Sequence, residues 1–232
     1  MTVAFVAATS SNTNVGVDPS TANTQFVLIA YDDDDGQTDP ITATGYTQEI
    51  NEYAGGDGAN TAILYSTSPA AVGGNITVGN PSAVLGLLAF SGVSSSTPFD
   101  VTPTFTNAVG AGSGTATWTV VAPSATTVTD GCGVAYAICF DQDGTVSVSS
   151  ASATGYTQRA LGNTGQYSSV VVLTKDTNQA THGALGTVSF TVTLSGAMTG
   201  GWVVFTIPLR PAAGGGGGSS ISIPTYSSYT TA

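Results

Sequence analysis

Thr187-Val188-Ser189-Phe190-Thr191-Val192-Thr193-Leu194 alternates without a fault: each even position is apolar and each odd one is Ser or Thr. A period of two puts neighbouring side chains on opposite faces of an extended chain. The octapeptide therefore predicts an antiparallel strand with one face in a core and the other in water. The same signals recur outward from it. Runs of Val, Ile, Thr, Phe and Tyr cover 3–8, 25–31, 44–53, 60–67, 75–78 and 84–93, then 115–121, 133–140, 147–149, 155–160, 168–175, 186–194 and 202–210. Clusters of Gly, Asp, Asn, Ser and Pro punctuate them, and no window carries a helical period with caps. The fold class expected is all-β, an antiparallel β-sandwich or jelly roll. Stretches 85–90 and 170–173 are continuously apolar, which suits central strands covered on both faces or one face docked to a partner.

The hexapeptide Ala-Thr-Gly-Tyr-Thr-Gln stands at 43–48 and again at 153–158, and the elements around the copies come in the same order. An apolar run closing in acidic residues precedes each: 26–31 before Asp32, Asp33, Asp34, Asp35 and Gly36, and 134–140 before Asp141, Gln142, Asp143 and Gly144. Downstream, 61–66 matches 170–174 and 85–90 matches 201–206. The pattern reads as an internal duplication, with one β-sandwich repeat at 1–110, a second at 111–211 and a Gly-rich flexible tail at 212–232. The Ser-, Thr-, Pro- and Gly-rich segment 94–114 reads as the crossing between halves.

Charge is scarce. Only 7% of the 232 residues are charged, against roughly 25% in an average domain. The three cations are Arg159, Lys175 and Arg210, and the formal net charge is −11. Tracking a phosphate backbone needs several Lys or Arg, so nucleic-acid binding is excluded as an expectation. No apolar stretch approaches the roughly 18 residues of a spanning helix, so no membrane partner is expected either. The start of the chain has an apolar run with no basic residue before it and reads as a first strand rather than a leader. Cys132 and Cys139 sit at the two ends of one predicted strand, too far apart to bridge, and read as buried thiols.

Residues able to do chemistry are few. His182 is the only histidine, and no Gly-x-Ser-x-Gly elbow accompanies it, so no catalytic residue is assigned. Asp32, Asp33, Asp34 and Asp35, with Asp141 and Asp143, follow equivalent strands and bunch oxygen ligands beside a glycine. Such a cluster can hold a cation such as Ca²⁺, although the 12-residue calcium loop is absent and Asp-Gly is also ordinary hairpin chemistry. No other cofactor is expected. Trp118 and Trp202 could stack on a sugar, or simply fill the core of the strands that carry them. In the tail, Ile221, Ile223, Tyr226 and Tyr229 are the anchors with which the polar peptide could dock on a neighbour as an edge strand. The alternative is a tail that stays disordered.

Residues 1–211 resemble a broad group of phage and prophage virion proteins built as β-sandwiches. The resemblance rests on the Phe-Val-Ala-Ala-Thr opening at 5–9, the run Val27-Leu28-Ile29-Ala30, and the Gly-Tyr-Thr turn. It continues through Ala89-Phe90-Ser91-Gly92-Val93, Trp202-Val203-Val204 and the Leu209-Arg210-Pro211 exit. It implies a non-enzymatic particle component assembled in the host cytoplasm: a capsid decoration or cement protein, or a fibre-like or tail accessory protein. The partners implied are the major capsid protein or other virion proteins, with a homo-oligomer or symmetric array on the particle. A carbohydrate-binding or adhesive module of a phage tail or cell surface shares the fold and stands as the alternative. A hydrolase would need a cleft with a perturbed acid or base, for which the sequence offers only weak candidates.

Overall fold

The computed structural model describes residues 2–11, 14–15, 26–33, 45–53, 60–67, 76–77, 84–141, 146–163 and 168–213. Among these residues the chain is all-β and its named ladders are antiparallel. In order the strands are β1 (Ala4–Ser11), β2 (Asn14–Val15), β3 (Phe26–Asp33), β4 (Thr47–Tyr53), β5 (Asn60–Ser66), β6 (Ile76–Thr77) and β7 (Val84–Ser91). There follow β8 (Thr104–Ala122), β9 (Gly133–Asp141), β10 (Val148–Ser152), β11 (Tyr156–Asn163), β12 (Ser168–Lys175) and β13 (Val188–Leu209). No helix among the described residues is long and apolar enough to cross a membrane.

The first sheet runs β1-β7-β3-β5-β4. The second runs β10-β13-β9-β12-β11, with β8 also on β13, so its central part reads β8-β13-β9-β12-β11. Strand order in the two is therefore the same. So is the register around the hexapeptide. A row of paired residues crosses the first sheet as Gln48, Leu64, Ile29, Leu87 and Thr9. Its counterpart crosses the second as Gln158, Leu173, Tyr136, Thr206 and Thr104. The ladder of β4 shifts between Gln48 and Ile50, and that of β11 between Gln158 and Ala160. One extra residue, Glu49 or Arg159, forms a bulge at the same place in each sheet. Gly45 and Gly155 precede those strands with φ of 82° and 83°, a left-handed conformation that a Cβ would strain. Carried through these rows, Leu87 corresponds to Thr206, three residues beyond the match read from the apolar runs alone.

The sheets pack face to face through equivalent positions. Ile63, Val84, Leu88 and Phe90 meet Val172, Val203, Ile207 and Leu209 in one core, with Ile50 and Ala160 at its edge. Close approach is set by a missing side chain: a Cβ on Gly86 would lie 2.8 Å from one methyl of Val172 and 2.9 Å from one of Val170. The 110/111 boundary expected between halves falls inside β8, and strands from both sides of it share this core.

A second core lies on the other face of the second sheet. β13 makes it, by bending. Its first part pairs with β10 and with the end of β8, and from Trp202 onward it pairs with β9 and the start of β8. Register shifts between Thr193 and Trp202 mark the bend. Val188, Phe190, Val192 and Leu194 then face Trp202 and Val204 of the same strand across an aromatic cluster. Tyr136, Tyr156 and Phe190 meet edge-to-face there, with ring centroids 5.2–5.5 Å apart. The expected face of the opening octapeptide is the buried one, while Ser189, Thr191 and Thr193 are exposed. Two separate strands expected at 186–194 and 202–210 are one continuous strand. The expected crossing segment is itself a strand from Thr104 onward, because Thr104 to Ala108 find ladder partners on β13 that outweigh their turn-like composition.

Candidate functional site

Most of the residues singled out for a cation or for tail docking have no described side chain. Asp32 and Asp33 end β3, where their backbones pair with Thr61 and Asn60. Asp34, Asp35, Asp143, Ile221, Ile223, Tyr226 and Tyr229 lie outside the described residues. Asp141 closes β9, buried, opposite Ser168. Among the described residues no three His, Cys, Asp or Glu side chains come together as a metal site would require. Trp118 and Trp202 are buried in the second core, so neither offers a face to a sugar. Cys132 and Cys139 are buried and form no disulfide with each other, as expected, and burial pushes the Cys132 thiol up to about 12.

His182 sits on an open surface. Its Nδ1 lies 2.8 Å from Asp130 Oδ1, and both side chains are more than half exposed, at 60% and 65%. The same carboxylate accepts the His182 backbone N–H at 2.7 Å. Those hydrogen bonds hold Asp130 below its ordinary value. The pair staples loop 123–132 to loop 176–187 beside the Thr127–Gly183 backbone bonds. It belongs to no enclosed site.

Asp100 has the opposite setting. Its side chain is fully buried, accepting N–H bonds from Val128 at 2.6 Å and Thr129 at 3.1 Å, with Arg210 Nε 3.2 Å from its other oxygen. Burial raises its pKa, but the hydrogen bonds from Thr129 and Val128 outweigh that, and the net shift is downward. Arg210 also bonds the Asp100 carbonyl, so the pair ties the inter-sheet segment to the end of β13. This is a structural ion pair that the sequence did not single out.

Two clefts open at the sheet edges that carry the hexapeptides. In the larger, ≈ 530 Å³, Val3 and Phe5 of the β1 entry face Arg159, Lys175, Asp176 and Asn178. The bulge on β11 projects Arg159 into it. The guanidinium lies 4.2 Å over the Phe5 ring and donates Nε–H to Thr174 Oγ1 at 2.7 Å. Lys175 Nζ donates to Gln179 Oε1 at 2.9 Å, and Asn178 Nδ2 to the Val3 carbonyl at 2.9 Å. The smaller cleft, ≈ 230 Å³, lies at the corresponding place by the hexapeptide of the first sheet. Gly45, Thr47, Tyr65 and Ser66 line it, with Ser96 and Pro98. The bulge of that sheet carries Glu49, raised by burial and not part of the cleft lining, and the position of Lys175 is taken by Ser66.

Compared with known proteins, the chain matches no family model, no curated protein and no solved structure.

Proposed function

We propose that the protein is a non-enzymatic structural component of a phage particle, a decoration or cement protein that docks on other virion subunits. The supporting observation is one broad uncharged face. On the outer layer, where β8 and β10 flank the first part of β13, exposed Thr117, Thr193 and Ser150 form one cross-strand row and Thr119, Thr191 and Ser152 the next. No Asp, Glu, Lys or Arg interrupts these stretches. Interface cores are depleted in charge because a buried charge must be desolvated, and short hydroxyl side chains cost little entropy to order. The matching strand order of the two sheets supports the accompanying reading of an internal duplication.

Purified particles should carry the protein at a fixed, symmetry-related copy number. Thr191→Lys with Thr119→Lys, which puts two ammonium groups on that face, should release it into the soluble fraction while leaving the isolated chain folded. A wild-type pool found only free of particles would count against the proposal. A glycan array separates the alternative, since a carbohydrate-binding module would be retained there and a cement protein would not.

A further inference from the structure

We propose that the ≈ 530 Å³ cleft between the β1 entry and the β11–β12 edge binds the carboxylate side chains of an acidic peptide segment. Two of the three cations in a chain of net charge −11 line it. Among the described residues neither Arg159 nor Lys175 has an ion-pair partner, whereas the third cation, Arg210, is committed to Asp100. Arg159 is oriented by its Nε–H bond to Thr174 and by the Phe5 ring beneath it. Its two terminal nitrogens have no partner among the described residues, and that fork matches a carboxylate with two parallel bonds. Lys175 spends one of three donors on Gln179.

The scaffold does not require these charges. The equivalent positions of the first sheet carry Glu49 and Ser66, of which only Ser66 lines the smaller cleft, and that sheet is formed all the same. Asp176 also lines the larger cleft, with its carboxylate accepting Thr157 Oγ1 at 2.5 Å. It leaves the lining one positive charge in excess, which suits a singly charged carboxylate better than a doubly charged phosphate. A sugar acid would want an open aromatic face, and Arg159 already covers that of Phe5. A peptide is favoured by the position of β1, which among the described residues is an edge strand paired on one side only, by β7, beside the charged pair. The site depends only on its own residues, whether or not the protein belongs to a particle.

The test is calorimetric titration of the full chain at low ionic strength with a blocked hexaglutamate peptide, a blocked hexaglutamine peptide and hexagalacturonate. Saturable binding of hexaglutamate alone is expected, weakened by salt and by roughly tenfold in Arg159→Gln or Lys175→Gln. Thermal melts of both variants identify any loss caused by unfolding, and Lys175→Gln, at a strand end, carries the test if Arg159→Gln does not fold. Absence of saturable hexaglutamate binding would overturn the proposal. So would undiminished binding by a folded variant, equal binding of hexaglutamine, or tighter binding of hexagalacturonate.

Discussion

The two faces of β9 are built from different residues for different neighbours. Ala135, Ala137 and Cys139 face the first sheet, whereas Val134, Tyr136, Ile138 and Phe140 face the bent part of β13 and β8. On the first face small side chains and Gly86 let two broad sheets come close. On the second, aromatic rings fill the deeper space that the bend of β13 encloses. One strand thus serves as a thin wall between two cores. Burial on both faces explains why its sequence shows no alternation of polar and apolar residues.

The largest effect should come from the aromatic side. Phe190→Ala removes a ring that touches Tyr136 and Tyr156 and should cost about 3–5 kcal/mol in chemical denaturation. Because β9 and β12 wall both cores, that loss should lower a single calorimetric transition of the described body rather than one of two. Separate melting of the first sheet would break the comparison. On the close-packed side, Gly86→Ala should cost about 1–3 kcal/mol, since its Cβ meets branched side chains with no room to withdraw. A neutral result there would mean that the sheets can part slightly without loss.

The smallest effect expected is a two-part dependence on pH. Glu49 and Glu52 in β4 are raised from 4.5 by burial, so stability should rise as pH falls through the region just above that value. Asp100 is depressed from 3.8, so its contribution is intact above that value and should be lost as pH falls further. Denaturation midpoints measured from pH 7 to pH 2 should therefore rise and then fall. Asp100→Asn should flatten only the falling limb.

How much could be read beforehand varies by element. In Thr187 to Leu194 the buried and exposed faces were legible although the strand starts at Val188 and runs on to Leu209, because a strand wet on one face and dry on the other writes its environment into a period of two. Most other strands were found within a few residues of their ends. The start of β8 was missed because Asn, Ala and Gly, which are weak strand formers, follow its Thr and Phe, and only its pairing with β13 makes it a strand. The cations were named, but not their meeting. Arg159 and Lys175 become neighbours of Phe5 because β1 crosses the edge of another sheet, and no local pattern encodes that crossing. Nothing local marks Asp100, because its partners stand 28, 29 and 110 positions away.

By itself the sequence determined the class of structure, the order of its strands and the poverty of charge on its surface. These follow from local periodicity and composition, which act over a few residues. Tertiary structure alone decided that β13 bends to wall two cores, that the two sheets share one of them, and that two lone cations face one cleft. Those outcomes depend on which strands meet across the sequence, and that is settled by the joint packing of both sheets rather than by any one segment.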